Sequence, residues 1–194
     1  MGIGDLISRI FSGKPNGQVP STARQVGGAP VEIVRRQFIR TSTDASVILQ
    51  ETLRDAAIGQ ERWTYGRVWL ASAAYAFFVY AWWNYRKNGE DDVFLRALNK
   101  ALYALVDDIL KQDGGDREEL VDVVREAFQA MQAPFRRINT GDPHSGVAVS
   151  LKMQEIMLGI ALTDPAAVSK ALDAHSAQQL SALMSETFAL LKAA

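Results

Sequence analysis

The chain has no cysteine and only two histidines among its 194 residues. The lack of cysteine excludes disulfide bonds, thiolate metal sites and a cysteine nucleophile. The histidines, His144 and His175, belong to no Glu-x-x-His or His-x-x-x-His pair, which is how helical proteins commonly bind metals. We therefore expect no metal and no cofactor. A lone imidazole without an orienting neighbour does not indicate catalysis, so an enzyme is not expected.

A strong charge of either sign is also missing, because the formal net charge is -1. Without a basic field to contact phosphates, nucleic-acid binding is not expected. The neutral total hides an asymmetry, since residues 1–89 contain 11 Lys or Arg and 6 Asp or Glu, whereas residues 90–194 contain 10 and 16. Opposite charges can attract within one fold or between copies, and attraction within the fold is the simpler interpretation.

No segment alternates in the manner of a β-strand. Apolar residues recur at helical spacing instead, which predicts an all-α fold, a single bundle of about seven helices. The sequence divides into an amphipathic helix at residues 1–12, a flexible Pro/Gly-rich linker at 13–30 and a helical domain at 31–194. The N-terminus lacks the features of a secretory signal, so we expect a location in the cytoplasm or at the cytoplasmic face of a membrane.

Local signals predict where the helices of the domain begin and end. Residues 41–44 offer competing side-chain hydrogen bonds and should break or kink the first helix. Gly59 should end the next one, with Val47 facing inward. Residues 139–146 should form a loop that contains His144. The expected N-cap residues are Asp116, Asp164 and Ser176.

Residues 60–87 predict a central helix, because the run from Val68 to Trp83 contains sixteen residues without a charge. A helix that is apolar all round must be buried on most sides. Its aromatic ends also resemble membrane-interface belts, which would be formed by Trp63, Tyr65, Trp82, Trp83 and Tyr85. Sixteen residues span only about 24 Å of a hydrocarbon layer about 30 Å thick, so the length favours a buried helix in water. Insertion of residues 63–85 into a membrane stays as an alternative.

The N-terminal segment has a single apolar stripe at helical spacing, formed by Ile3, Leu6, Ile7, Ile10 and Phe11. A helix tethered by a linker has no need to pack on its own domain. We therefore expect a non-catalytic interaction or assembly protein that docks on a protein partner, or on its own copies, through these five residues. A further alternative is a binder of hydrophobic small ligands, with its pocket between the central helix and residues Met131, Met153, Met157 and Met184.

Overall fold

A computed structural model of the chain describes residues 31–88, 92–135 and 143–193. These residues form seven α-helices and no strand, which confirms the all-α prediction. The predicted helix at 1–12 and linker at 13–30 lie outside the described residues. A short 3₁₀ helix, Gln60–Arg62, connects the first two of the α-helices. The helices are α1 (Val31–Asp55), α2 (Tyr65–Asn88), α3 (Asp92–Asp113), α4 (Arg117–Phe135), α5 (Pro143–Ala161), α6 (Pro165–Ala171) and α7 (Ala174–Ala193).

Helix α2 is enclosed by other helices. Every residue from Leu70 to Ala81 is buried, and α2 contacts α1, α3, α4, α5 and α7. Alanines at positions 71, 73, 74 and 76 permit close approach, and large aromatic rings fill the space between them. The Phe77 ring meets the Phe128 ring of α4 edge-on at 5.5 Å. Helix α2 therefore supplies the centre of the apolar core.

Helices α1, α2 and α3 run alternately up and down, so the bundle has two ends. At the entry end, where α1 begins, the ring of Tyr80 lies 6.0 Å from Phe38 and 6.5 Å from Phe94. At the turn end, where α3 leads into α4, Gly66 lies against Ile109 and Asp113. A methyl group on Gly66 would come within 3.1 Å of Ile109 Cγ2 and would collide with the Asp113 carboxylate.

The predicted break at residues 41–44 is wrong, because α1 is continuous through them. Their hydroxyl groups bond within the helix instead of capping a new one. Ser42 Oγ donates to the Phe38 carbonyl and Thr43 Oγ1 to the Ile39 carbonyl, each at 2.9 Å. This back-bonding to residue i−4 is compatible with a continuous helix. The uninterrupted register points Val47 outward, contrary to prediction, and leaves it 48% exposed.

The predicted stop at Gly59 is also wrong, because α1 ends four residues earlier, at Asp55. Ala57 adopts the left-handed conformation, with φ 50°, that usually favours glycine. Its N–H donates to the Arg54 carbonyl, and the Ile58 N–H donates to the Leu53 carbonyl, both at 2.9 Å. These two bonds form a Schellman motif, and Ile58 and Leu53 are both buried. Gly59 is extended and precedes the 3₁₀ helix.

The other predicted boundaries have mixed outcomes. Asp116 and Asp164 cap α4 and α6 as expected, with carboxylate oxygens accepting backbone N–H groups at 2.7 Å and 2.9 Å. Ser176 is not a cap, because α7 begins earlier and Asp173 accepts the Ser176 N–H at 2.9 Å. The predicted loop at 139–146 is wrong from residue 143 onward, so His144 lies in the first turn of α5.

Candidate functional site

The five residues predicted to bind a partner, Ile3, Leu6, Ile7, Ile10 and Phe11, lie outside the described residues. Their role stays a prediction. The described part of the chain shows only where they join the domain, which is at the entry end, upstream of Val31.

The aromatic residues predicted for a membrane interface do not share one environment. Trp83 is buried with its ring 5.8 Å from Phe94, and Trp63 and Trp82 are half-buried against the core. Tyr65 is 51% exposed, and the side chain of Tyr85 lies outside the described residues. None of the helices in the described part of the chain has the length and hydropathy required to cross a membrane.

Buried hydroxyl groups connect α2 to α1 and α7. The Thr41 Oγ1 lies 3.4 Å from Tyr80 Oη and 3.3 Å from Thr187 Oγ1. One turn earlier in α2, Tyr75 Oη donates a 2.6 Å hydrogen bond to the Leu180 carbonyl. A buried hydroxyl must have a hydrogen-bond partner, because an unsatisfied polar group is expensive to bury. These hydroxyls therefore fix the orientation of the three helices.

The ionisation of these two tyrosines is suppressed. Burial raises the pKa of Tyr75 far above its ordinary value. Burial also raises the pKa of Tyr80 to about 12, against the smaller opposing effects of the hydrogen bond with Thr41 and the charge of Arg40. Both phenols stay protonated at neutral pH, and the Tyr75 phenol acts as a hydrogen-bond donor, which is a structural role.

Asp173 forms a second polar cluster, at the start of α7. Its N–H donates to Gln154 Oε1 at 3.2 Å, and its carboxylate accepts from Gln154 Nε2 at 3.3 Å and from the Ser176 N–H. Partial burial opposes ionisation, but the hydrogen bonds from Ser176, Gln154 and the His175 N–H outweigh it, so the pKa of Asp173 is lowered. The cluster ties α5 to the beginning of α7.

Two shallow clefts lie along α5. One, of about 430 Å³, lies between α5 and α6 and is lined mainly by apolar residues such as Leu162, Val168 and Leu172. The other, of about 290 Å³, lies between α5 and α7 and is lined by alanines, serines and Gln178. Neither includes a methionine or a residue of α2, whereas the predicted ligand pocket would need both. Met131, Met153 and Met157 are buried in the core.

Within residues 31–88, 92–135 and 143–193, no three His, Asp or Glu side chains form a group that could hold a metal ion. His175 is exposed in the first turn of α7. The groups with altered pKa values each have a structural contact; for example, a hydrogen bond to Asp108 raises the pKa of the exposed Lys111.

No protein-family model, curated protein or solved structure matches the chain. The protein is therefore classified by its fold alone, as an all-α bundle built around α2.

The hydroxyl cluster was not anticipated from the sequence. One signal was available, because Tyr75 and Tyr80 stand inside a charge-free apolar run. A tyrosine in such a run needs a partner for its hydroxyl group. The partners are 105 residues away for Tyr75 and 39 for Tyr80, so no local pattern could have identified them.

Proposed function

We propose that the chain is a non-catalytic interaction protein that docks on a protein partner through its N-terminal apolar stripe. The observation that carries the proposal is the helical spacing of five large apolar residues within eleven, with Asp5, Ser8 and Arg9 on the opposite face. Such a stripe is suited to a hydrophobic groove, in which its side chains act as anchors at i, i+3, i+4 and i+7.

The packing of the domain supports the proposal that the N-terminal stripe, and not the outer surface of the bundle, contacts the partner. The described helices bury a contiguous apolar cluster that involves all seven of them. The large apolar side chains that this part of the chain exposes are spread over four helices: Ile39, Val47, Tyr65, Val93 and Leu190. Isolated exposed apolar residues are ordinary, whereas five in one short stripe require a surface to cover them.

The expected strength of the docking follows from the size of the stripe. Burial of five large apolar side chains contributes on the order of 10 kcal/mol before the cost of association. Two of the five should account for about 4 kcal/mol, so their loss should weaken binding more than about a hundredfold.

A pair of matched variants of the full chain tests the proposal. In Ile7→Asp/Ile10→Asp the stripe is interrupted, whereas Ser8→Asp places one charge on the polar face. With a photo-crosslinking residue at Phe11 in cells, the starting protein and Ser8→Asp should yield the same crosslinked protein, and the double variant should yield none. Equal crosslinking in all three would refute the proposal. Equal thermal unfolding midpoints would show that the domain is unaffected.

A further inference from the structure

The described side chains at the entry end include three exposed cations. Arg35, Arg96 and Lys100 are exposed there, within two turns of Phe38 or Phe94, and none of them makes an ion pair with a described residue. Arg40 is balanced by Asp44 at 3.8 Å. The three cations stay uncompensated by the described part of the chain.

At the turn end, the α3–α4 turn carries the opposite charge. Residues 107–122 contain seven Asp or Glu and two Lys or Arg, and both cations there are engaged, Lys111 with Asp108 and Arg117 with Asp107. The acidic residues left without an ion pair in the described structure are exposed: Asp113, Asp116, Glu118 and Glu119. Charge of opposite sign therefore faces solvent at the two ends.

These charges are too far apart to compensate each other within one molecule. Arg96 and Asp113 are 17 residues apart on the same helix, α3. At a rise of 1.5 Å per residue this separation is about 25 Å. The Debye length at physiological ionic strength is about 8 Å, so attraction between exposed groups at that distance is largely screened. Ion pairing within one molecule therefore does not neutralise these residues.

Each charged end also exposes apolar surface. At the entry end Ile39 is 42% exposed beside Arg35, and Val93 is 40% exposed beside Arg96. At the turn end the exposed residue is Tyr65, which adjoins Gly66 and therefore lies near Asp113. Its ring packs edge-on against Trp63 at 5.4 Å between centroids. An aromatic face beside carboxylates suits a guanidinium group, which gains both ion pairing and cation–π contact.

We propose that the entry end of one molecule docks on the turn end of a second copy, with Arg35, Arg96 and Lys100 facing the acidic residues of the α3–α4 turn. The occupant is another copy because one chain presents both complementary surfaces. The contact joins two different patches, so it is heterologous and can repeat from molecule to molecule. It involves described residues only and does not depend on the N-terminal stripe.

The test uses neutralising variants of the full chain, followed by sedimentation velocity at several protein concentrations. One variant neutralises the entry end (Arg35→Gln/Arg96→Gln/Lys100→Gln) and the other neutralises the turn end (Asp113→Asn/Glu118→Gln/Glu119→Gln). At about 20 mM ionic strength the starting protein should form oligomers that dissociate at about 500 mM, because exposed charges are screened by salt. Each variant alone should associate more weakly than the starting protein, by about tenfold or more.

The mixture of the two variants is the decisive sample. Each retains one intact end, so an equimolar mixture should form one-to-one dimers and nothing larger. A matched control, Arg54→Gln/Arg67→Gln/Lys170→Gln, removes the same number of cations from the turn end and should associate at least as strongly as the starting protein does. A monomeric starting protein at low salt would overturn the proposal. So would undiminished association of either variant alone, or a mixture that stays monomeric. Equal thermal midpoints exclude misfolding.

Discussion

Helices α1 and α2 pack against each other and have similar lengths, 25 and 24 residues, but they meet solvent differently. Helix α1 buries one face, which includes Val34, Phe38 and Leu49, and exposes Ile39 and Val47. Helix α2 has no solvent-exposed face over its central turns, since all residues from Leu70 to Ala81 are buried. Helix α1 packs against other helices on one face only, whereas the central turns of α2 must match neighbours on every side.

The difference shows where the sequence is most constrained. On α1 a residue can point to water, as Val47 does, without disturbing the core. On the central turns of α2, from Leu70 to Ala81, every side chain must fit a neighbour in size, and each hydroxyl group needs a hydrogen-bond partner inside the bundle. Ser72 meets that requirement within its own helix, donating to the Val68 carbonyl at 2.8 Å. Substitutions on α2 should therefore be far more destabilising than equivalent substitutions on the outer face of α1.

The largest expected effect comes from removing a ring of α2. Phe77→Ala should lower the free energy of unfolding by about 3–5 kcal/mol, because it leaves a cavity against Phe128. Val47→Ala on the outer face of α1 should change it by less than about 0.5 kcal/mol. Equilibrium urea unfolding monitored by circular dichroism measures both. Similar losses for the two variants would contradict the distinction between the helices.

A smaller effect should follow from removing a single buried hydroxyl of α2. Tyr75→Phe keeps the ring but loses the hydrogen bond to the Leu180 carbonyl, which should be worth about 1–1.5 kcal/mol. Tyr65→Phe, at an exposed position, should be neutral within about 0.5 kcal/mol. If both variants unfold at the same urea concentration, the hydroxyl of Tyr75 does not contribute to joining α2 and α7.

Helix α7, which contacts both α1 and α2, should depend on its N-cap. Asp173→Ala should be destabilising by about 1 kcal/mol at neutral pH. Because the folded-state pKa of Asp173 is lowered, its contribution is present above the unfolded pKa of about 3.9 and is lost as the pH falls through the folded pKa. Urea unfolding at neutral and acidic pH should show the two proteins converging toward acid. A constant difference would contradict the assigned role of the carboxylate.

The smallest predicted effect is an increase in stability, whereas the preceding variants should lower it. Ala57→Gly should stabilise the protein by about 0.5–1 kcal/mol, because glycine adopts the positive φ at the end of α1 without strain. Ala56→Gly, one residue earlier, is a suitable control, since Ala56 has no positive φ and gains nothing. A lower thermal midpoint for Ala57→Gly than for the starting protein would show that the left-handed turn does not limit stability.

The sequence allowed prediction of features that depend on local chemistry. Asp116 and Asp164 precede helical periodicity and cap their helices as expected. The errors arose where tertiary packing outweighed a local signal. Thr41 could have ended a helix, but it contacts Thr187 and Tyr80, which are distant in the sequence. No local pattern specifies such contacts, or identifies Ala57 as the residue that takes the place expected for Gly59.

A domain that completes its own core around α2 needs no contribution from the N-terminal segment, whose apolar stripe would then be available to a partner. Deletion of residues 1–30 tests this most directly, with unfolding followed by circular dichroism in urea. The shortened chain should unfold in one cooperative transition, with a free energy within about 1 kcal/mol of that of the full chain, since unneeded termini contribute little. Loss of the cooperative transition would show that the core requires the N-terminal segment, and would contradict the account.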